Sequence, residues 1–484
     1  MKPLAALLAL AVSGFSVHVR AATVQGVIFD DETSNPIARS QVTLDPLPGT
    51  KTRRATMLAD DHGRYVFSSV PPGWYIVRVS RIGFETGEFG QLRPGLPGKP
   101  FEVRDDSDDD QLRQILMRRQ AAISGSVVDD NNIGIPDWVV SVYTARPPIK
   151  RIAEAKTNDR GDFRVGELER GTYIVRAGGG QLEDQSELVP AYYKYGTALS
   201  GAEPIFVRLG ETAAFTVIHT VAGQLFDLSG QILAPDNRPI SIALISDSGR
   251  RTISAKAGPF LVSGLAPGTW EILAQGAGCG SYQTILIDRN AFVRVECDAL
   301  SAPVVTGAGS HPVYARRADL DGPGDELELH GQALAPGPWE FMVRPSSDQY
   351  LVSIRNQGDT TPVPLAQDGW FPVQVGTAPQ LQVNLSNKPA SISGNVTASS
   401  MPVTGAPVFL QLLNPVTPEL VLQAWEARAD VKGHYVFNSL PPGDYRLMSS
   451  YELDYDEPVA REKSSTLRLA EGQSAEQPLE LLQP

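Results

Sequence analysis

The sequence predicts an all-β chain, built as a tandem array of about five Greek-key β-sandwich domains. Three observations carry that prediction. One strand–turn–strand motif recurs five times along the 484 residues. Apolar and polar residues alternate with a period of two around every copy, as half-buried strands require. Gly (44) and Pro (38) are abundant together, which suits a turn-rich β protein.

The motif runs from Tyr65 to Tyr75 and returns as Phe163 to Tyr173, Phe260 to Trp270 and Tyr435 to Tyr445. A worn copy spans Leu329 to Trp339. Its first landmark is a turn glycine, Gly63, Gly161, Gly258 or Gly433; the worn copy has Leu327 there. Two positions later stands Tyr65, Phe163, Phe260 or Tyr435, and Leu329 in the worn copy. The second landmark is another glycine (Gly73, Gly171, Gly268, Gly443), preceded in the first and last copies by Pro-Pro. Proline presets φ and glycine allows a positive φ after it, so a tight turn is expected there. Two residues past this point stands Tyr75, Tyr173, Trp270, Trp339 or Tyr445. Five copies share that residue class, so these side chains are expected in five separate cores.

Each unit but the worn one also opens on a strand with a central glycine: Gly26, Gly125, Gly230 and Gly394. Candidate strands such as Ser40 to Leu44, Trp138 to Tyr143 and Pro407 to Leu412 lie between the landmarks. Six or seven short strands in about 100 residues fit a sandwich. The expected boundaries are residues 22–118, 119–222, 223–300, 301–388 (the degenerate unit) and 389–484.

The opening Ser-Gly strand, the Asp-x-x-Gly-x-Tyr/Phe turn and the Pro-Pro-Gly-x-Tyr element resemble carboxypeptidase regulatory-like domains. They also resemble carbohydrate-binding-like folds. The resemblance implies prealbumin-like, immunoglobulin-like sandwiches of the kind found in bacterial envelope proteins and beside metallocarboxypeptidase catalytic domains. It covers four of the five units. The segment from Tyr192-Tyr193 to Gly210 resembles inter-repeat segments of such proteins.

Targeting signals point to export. Lys2 precedes an apolar run from Leu4 to Val12, and Val19-Arg-Ala21 places small residues where a signal peptidase reads. Residues 1–21 are read as a signal peptide cleaved after Ala21, leaving a periplasmic, secreted or cell-surface chain. No Cys follows Ala21, so a lipid anchor is not expected, and no later stretch approaches the ~20 apolar residues of a membrane span. The net charge of −13 argues against nucleic acid as a partner. The run Asp105 to Asp110 and the charged stretch Glu452 to Glu457 both read as solvated loops. Cys279 and Cys297 are the only cysteines. The segment between them reads as a hairpin, Tyr282 to Ile287 against Phe292 to Val295, and cross-strand proximity predicts a disulfide.

Signatures of catalysis are thin. No histidine is followed by Glu three residues on, as a metallocarboxypeptidase zinc site needs. There is no Gly-x-Ser-x-Gly elbow. Gly90 to Gly95 lacks the lysine of a phosphate loop, and Gly276 to Gly280 has no βαβ setting. His62 and His434 read as solvent-facing turn residues. Asp319, Asp321 and Asp325 form a weak calcium candidate. It lacks the bidentate Glu of a calcium loop, since His330 stands in its place. Trp138, Trp370 and Trp425 fall outside the repeated slots and are weak candidates for stacking against a sugar ring. No cofactor is expected. The function expected is therefore a non-enzymatic envelope scaffold that binds an envelope protein or a surface glycan. The alternatives are a carbohydrate-binding protein with aromatic faces, and an accessory module or cryptic form of a secreted hydrolase.

Overall fold

The computed structural model describes residues 22–483 apart from 94, 105–111, 146–148, 179–187, 195, 198, 209, 247–248, 277, 320–321, 324, 362–364, 367 and 455–456. The signal-peptide reading and the Asp105 to Asp110 run lie outside the described residues. The strands are organised as five successive pairs of sheets, each pair with its own core, and one two-stranded sheet of Leu188–Val189 with Val221–Ala222. Among the described residues, helix is limited to Pro458–Lys463 and one 3-10 turn at Leu199–Gly201.

The first sandwich sets the pattern. Its strands are β1 (Ala22–Asp30), β2 (Gln41–Pro46), β3 (Ala55–Leu58), β4 (Arg64–Val70), β5 (Gly73–Ser80), β6 (Gly87–Glu88), β7 (Phe101–Val103) and β8 (Leu112–Met117). β4, β1 and β8 form one sheet, in which β8 lies parallel to β1; β3, β2, β5, β6 and β7 form the other. Strand β1 alternates buried and half-buried residues along its whole length, and its inward side meets Val42, Val77 and Val79 in the core. At about 25 cal/mol per Å² of apolar surface, these buried rows are the main stabilising contribution of each unit.

Register explains the opening glycine. Gly26, Gly125, Gly230 and Gly394 stand directly opposite Tyr65, Phe163, Phe260 and Tyr435. At Gly26, Gly230 and Gly394 the opposite aromatic side chain lies against the glycine, and at all four the parallel neighbour closes in. A Cβ on Gly125 would sit 1.9 Å from the Thr216 carbonyl oxygen, and one on Gly230 would sit 2.4 Å from the Phe260 ring. Tyr65 uses this position to donate a hydrogen bond of 3.0 Å to the Arg113 carbonyl on β8.

The first turn is tied by a side chain three residues before its glycine. One oxygen of Asp60 accepts from the His62 and Arg64 amides, Asn158 does the same for Arg160 and Asp162, and Asp430 for Lys432 and His434. His62 and His434 are exposed. The second turn differs from expectation. Gly73, Gly268 and Gly337 have positive φ, but Gly171 and Gly443 do not. The constant left-handed residue lies four positions earlier, at Ser69, Glu167, Gly264 and Ser439. There the strand pairing slips at a bulge, which turns the chain into the next strand.

Two further sequence readings change. The segments flanking Asp288 are not hairpin partners. Cys279–Ile287 joins the five-stranded sheet beside Gly268–Gly276, whereas Ala291–Glu296 crosses to pair with Phe226–Leu233. Cys279 and Cys297 are nevertheless disulfide-bonded, with Cα atoms 5.3 Å apart, because Asp298–Ala299 returns to pair with the start of the Cys279 strand. The segment after Tyr192 is no linker: Ala191–Tyr192 and Ile205–Val207 both extend the sheet of the second sandwich. In the worn unit, which lacks both the opening glycine and the first turn glycine, the last strand (Gln380–Ser386) takes the central place in its sheet.

Reduction of the disulfide is expected to lower the stability of the third sandwich by about 3 kcal/mol, since it closes a short loop. Differential scanning calorimetry with and without reductant would show one transition moving down and the rest unchanged.

Candidate functional site

The repeated aromatic slot performs the same task in all five units. Tyr75, Tyr173, Trp270, Trp339 and Tyr445 are buried, each in its own core. Each also donates to the carbonyl four residues earlier: Tyr75 to Pro71 (2.8 Å), Tyr173 to Glu169 (2.7 Å), Trp270 to Ala266 (2.9 Å), Trp339 to Ala335 (2.8 Å) and Tyr445 to Pro441 (2.5 Å). The bond ties the turn to the start of the following strand. Burial pushes the Tyr173 hydroxyl up to about 12, with the Glu169 and Glu85 carboxylates adding to it, so it stays a donor at neutral pH.

Of the three stacking candidates, Trp138 and Trp370 do not offer a face to a sugar. Trp138 is 2 % exposed in the second core and Trp370 is 4 % exposed beneath the Arg316 guanidinium, 4.2 Å from the ring centre. Trp425 is half-buried and packs on Tyr445, with ring centres 6.2 Å apart. Burial of apolar area outweighs solvent exposure for rings of this size. In the calcium candidate, Asp321 and the side chain of Asp319 lie outside the described residues. The backbone there pairs Asp319 with Gly322 in a hairpin, and Asp325 is exposed. Among the described residues, no group of three His, Cys, Asp or Glu side chains is placed to hold a metal ion. No described helix is long and apolar enough to cross a membrane.

A polar cleft of about 500 Å³ opens on the fourth sandwich. Its lining includes Ser310, His311, Gln349, Asn384 and Asn387. Gln349 sits at the centre: its carbonyl oxygen lies 2.9 Å from His311 Nε2 and its amide donates to Asn387 (2.7 Å). The lining is neutral and rich in both donors and acceptors, which suits a hydroxyl-bearing ligand better than an ion.

The strongest polar constellation joins three sandwiches. Glu88 on β6 is 8 % exposed at its side chain and Arg428 in the fifth sandwich is 11 % exposed. Arg428 donates to Glu88 at 2.6 Å and to the Gly98 carbonyl at 3.0 Å. Glu88 also accepts from Arg78 (2.9 Å) and from the Gly98 amide (2.7 Å). A short distance along, Glu457 lies 3.7 Å from Arg93 of the first sandwich and 3.8 Å from Arg170 of the second. Arg170 also pairs with Asp454 at 3.2 Å. The described residues of the Glu452 to Glu457 stretch thus do not read as a solvated loop: Leu453 is buried beside buried Tyr451, and the Asp454 and Glu457 carboxylates face arginines from two other domains. The signal in the sequence was its acid density. Its partners are hundreds of residues away and left no local trace.

A second junction lies between the first two sandwiches, where the Glu85 amide bonds the Arg118 carbonyl and the Gln120 amide the Gly83 carbonyl. Burial, reinforced by the Glu169 carboxylate, holds the Glu85 carboxyl above its ordinary pKa. One of its oxygens is buried without a hydrogen bond. A carboxyl whose folded pKa is raised costs stability as pH rises through that value, and costs nothing below the unfolded one. Glu85→Gln is therefore expected to raise the melting temperature at pH 7 and to leave it unchanged well below about pH 4. A melt series across pH would check the sign.

Residues 23–103 match the model of the carboxypeptidase regulatory-like domain. The first sandwich is therefore similar to a regulatory-like domain. The match spans β1 to β7 of the first sandwich and does not extend to the other four units. Similar solved structures include a streptococcal ancillary pilin (10% identity, 57% of this chain and 99% of that one, TM-score 0.21). A minor pilin of Streptococcus agalactiae matches at 12% identity, over 42% of this chain and 97% of that one, with a TM-score of 0.25. The major pilin subunit of Bacillus cereus matches at 10% identity, over 75% and 99%, with a TM-score of 0.16. At these TM-scores the likeness carries no argument about function. No curated protein matches the chain.

Proposed function

We propose that this chain is an exported, non-enzymatic multidomain scaffold of the cell envelope, which binds a protein or glycan partner through exposed loops and strand edges. The observation that supports it is where the well-placed charges go. Enzymes gather perturbed titratable groups in a cleft facing substrate. Here the buried pair Glu88–Arg428 and the Arg93, Arg170, Asp454 and Glu457 cluster satisfy one another across domain boundaries. Their work is architectural. The disulfide of the third sandwich fits an oxidising compartment outside the cytoplasm.

A second reading follows from the cleft on the fourth sandwich. Its carboxamides and His311 would suit a saccharide held by hydrogen bonds, without the aromatic platform that Trp138 and Trp370 do not supply. A single site of this kind binds weakly, and repetition on a surface would raise avidity. Purified mature protein is expected to show no turnover on a broad panel of peptidase and glycosidase substrates. Turnover that tracks the protein and vanishes on changing one carboxylate or histidine would overturn the scaffold reading. Binding on a glycan array that is lost in Gln349→Ala would favour the second reading.

A further inference from the structure

We propose that the acidic segment of the fifth sandwich is an intramolecular docking element. It locks the first, second and fifth sandwiches together, so the array is folded back on itself rather than strung out. The partner this surface fits is the arginine-bearing rim of the chain's own first two domains.

Three features fit the fifth sandwich, with this segment, to the first two. The first is charge: Arg93 and Arg170, from different sandwiches, converge on the one carboxylate of Glu457, and Arg93 also donates to the Glu452 carbonyl. The second is burial. Arg428 and Glu88 are shielded from water, and each meets backbone as well as its counter-charge, so the contact has the fixed geometry of a built interface. The third is shape. At Gly405 a Cβ would sit 2.7 Å from the Pro100 ring and 2.8 Å from Leu47, and φ there is +63°, so the fifth sandwich approaches the first by backbone. Tyr451 completes the face: its hydroxyl donates to the Gly405 carbonyl (3.2 Å), and the Lys99 ammonium lies 5.9 Å from its ring centre.

Two domains separated by three others in sequence have no reason to meet unless their faces are complementary. Removing one partner of a buried ion pair leaves the other charge unpaired, so the lock should fail as a unit when a single charge is reversed. A locked array would hold its outer faces at fixed spacing, which sets the geometry for multivalent binding. The lock rests on the same cross-domain pairs that support the scaffold reading; scattering tests the lock and the turnover panel tests the scaffold, so the two failures are distinguishable.

The test is small-angle X-ray scattering on the full mature chain. Wild type is expected to be compact. Arg428→Glu places a carboxylate beside Glu88, and the radius of gyration should rise by on the order of a third as the array opens towards a string. The double variant Arg93→Glu, Arg170→Glu attacks the same lock from the opposite side at partly exposed positions, which keeps the test valid if Arg428→Glu fails to fold. It should also expand. Circular dichroism must stay unchanged in any variant that is counted. A wild-type profile that is already extended would overturn the proposal. So would folded variants whose scattering superimposes on that of wild type.

Discussion

Trp270→Ala should destabilise the third sandwich by roughly 3–5 kcal/mol, the range for removing a large buried aromatic. The ring is 3 % exposed among Leu244, Ile272 and Val295, and it anchors the turn through its bond to the Ala266 carbonyl. Trp270→Phe separates the two contributions. It keeps most of the packing and removes the donor, and the lost bond should cost about 1 kcal/mol. Tyr173→Ala should behave alike in the second sandwich. In a calorimetric scan the affected unit should melt early. Units that do not touch it should melt as before, since neighbours in an array couple only through their interfaces. If either alanine variant kept wild-type stability while a binding activity was lost, the slot would be a binding residue and not a core one.

The second large effect is expected at an opening glycine. Gly125→Val should unfold the second sandwich, because even the Cβ of alanine would lie 1.9 Å from the Thr216 carbonyl oxygen. That oxygen is backbone in a paired strand, so it cannot swing aside as a side-chain tip would. The strand Thr212–His219 would have to leave the sheet, taking Ile218 out of the core. Proteolysis at the boundary between the first two sandwiches would report it: the first should survive as a fragment and the second should be cut. Equal resistance of the variant and wild type would show that the parallel pairing is not needed.

Much of this was legible in the chain. The repeated slot holds Tyr, Tyr, Trp, Trp and Tyr, never Phe. A purely apolar site would accept phenylalanine, so the restriction to residues with a donor already encoded the hydrogen bond to the turn. The opening glycines stood out by their spacing, although their reason, a parallel neighbour closing in on a bare backbone, needed the strand register. The disulfide was expected on a hairpin argument that does not hold, and it forms by a different route, through the return of Asp298–Ala299. Trp138 and Trp370 misled because their positions outside the repeat suggested freedom, whereas Trp138 fills the second core and Trp370 is buried beneath Arg316, at places the repeat does not specify.

The sequence by itself determined the local units: alternation of period two selects strands, glycine and proline select turns, and five copies of one motif select five cores. These are properties of residues close together in the chain, where spacing and side-chain class are sufficient causes. Tertiary structure alone decided how the units sit together. Glu88 and Arg428 are far apart in sequence and meet at 2.6 Å. Read locally, Glu452 to Glu457 is only a charged loop. Burying such charges requires a counter-charge at hydrogen-bonding distance, and which distant residue supplies it is set by the shape of two folded surfaces, a quantity no local pattern contains.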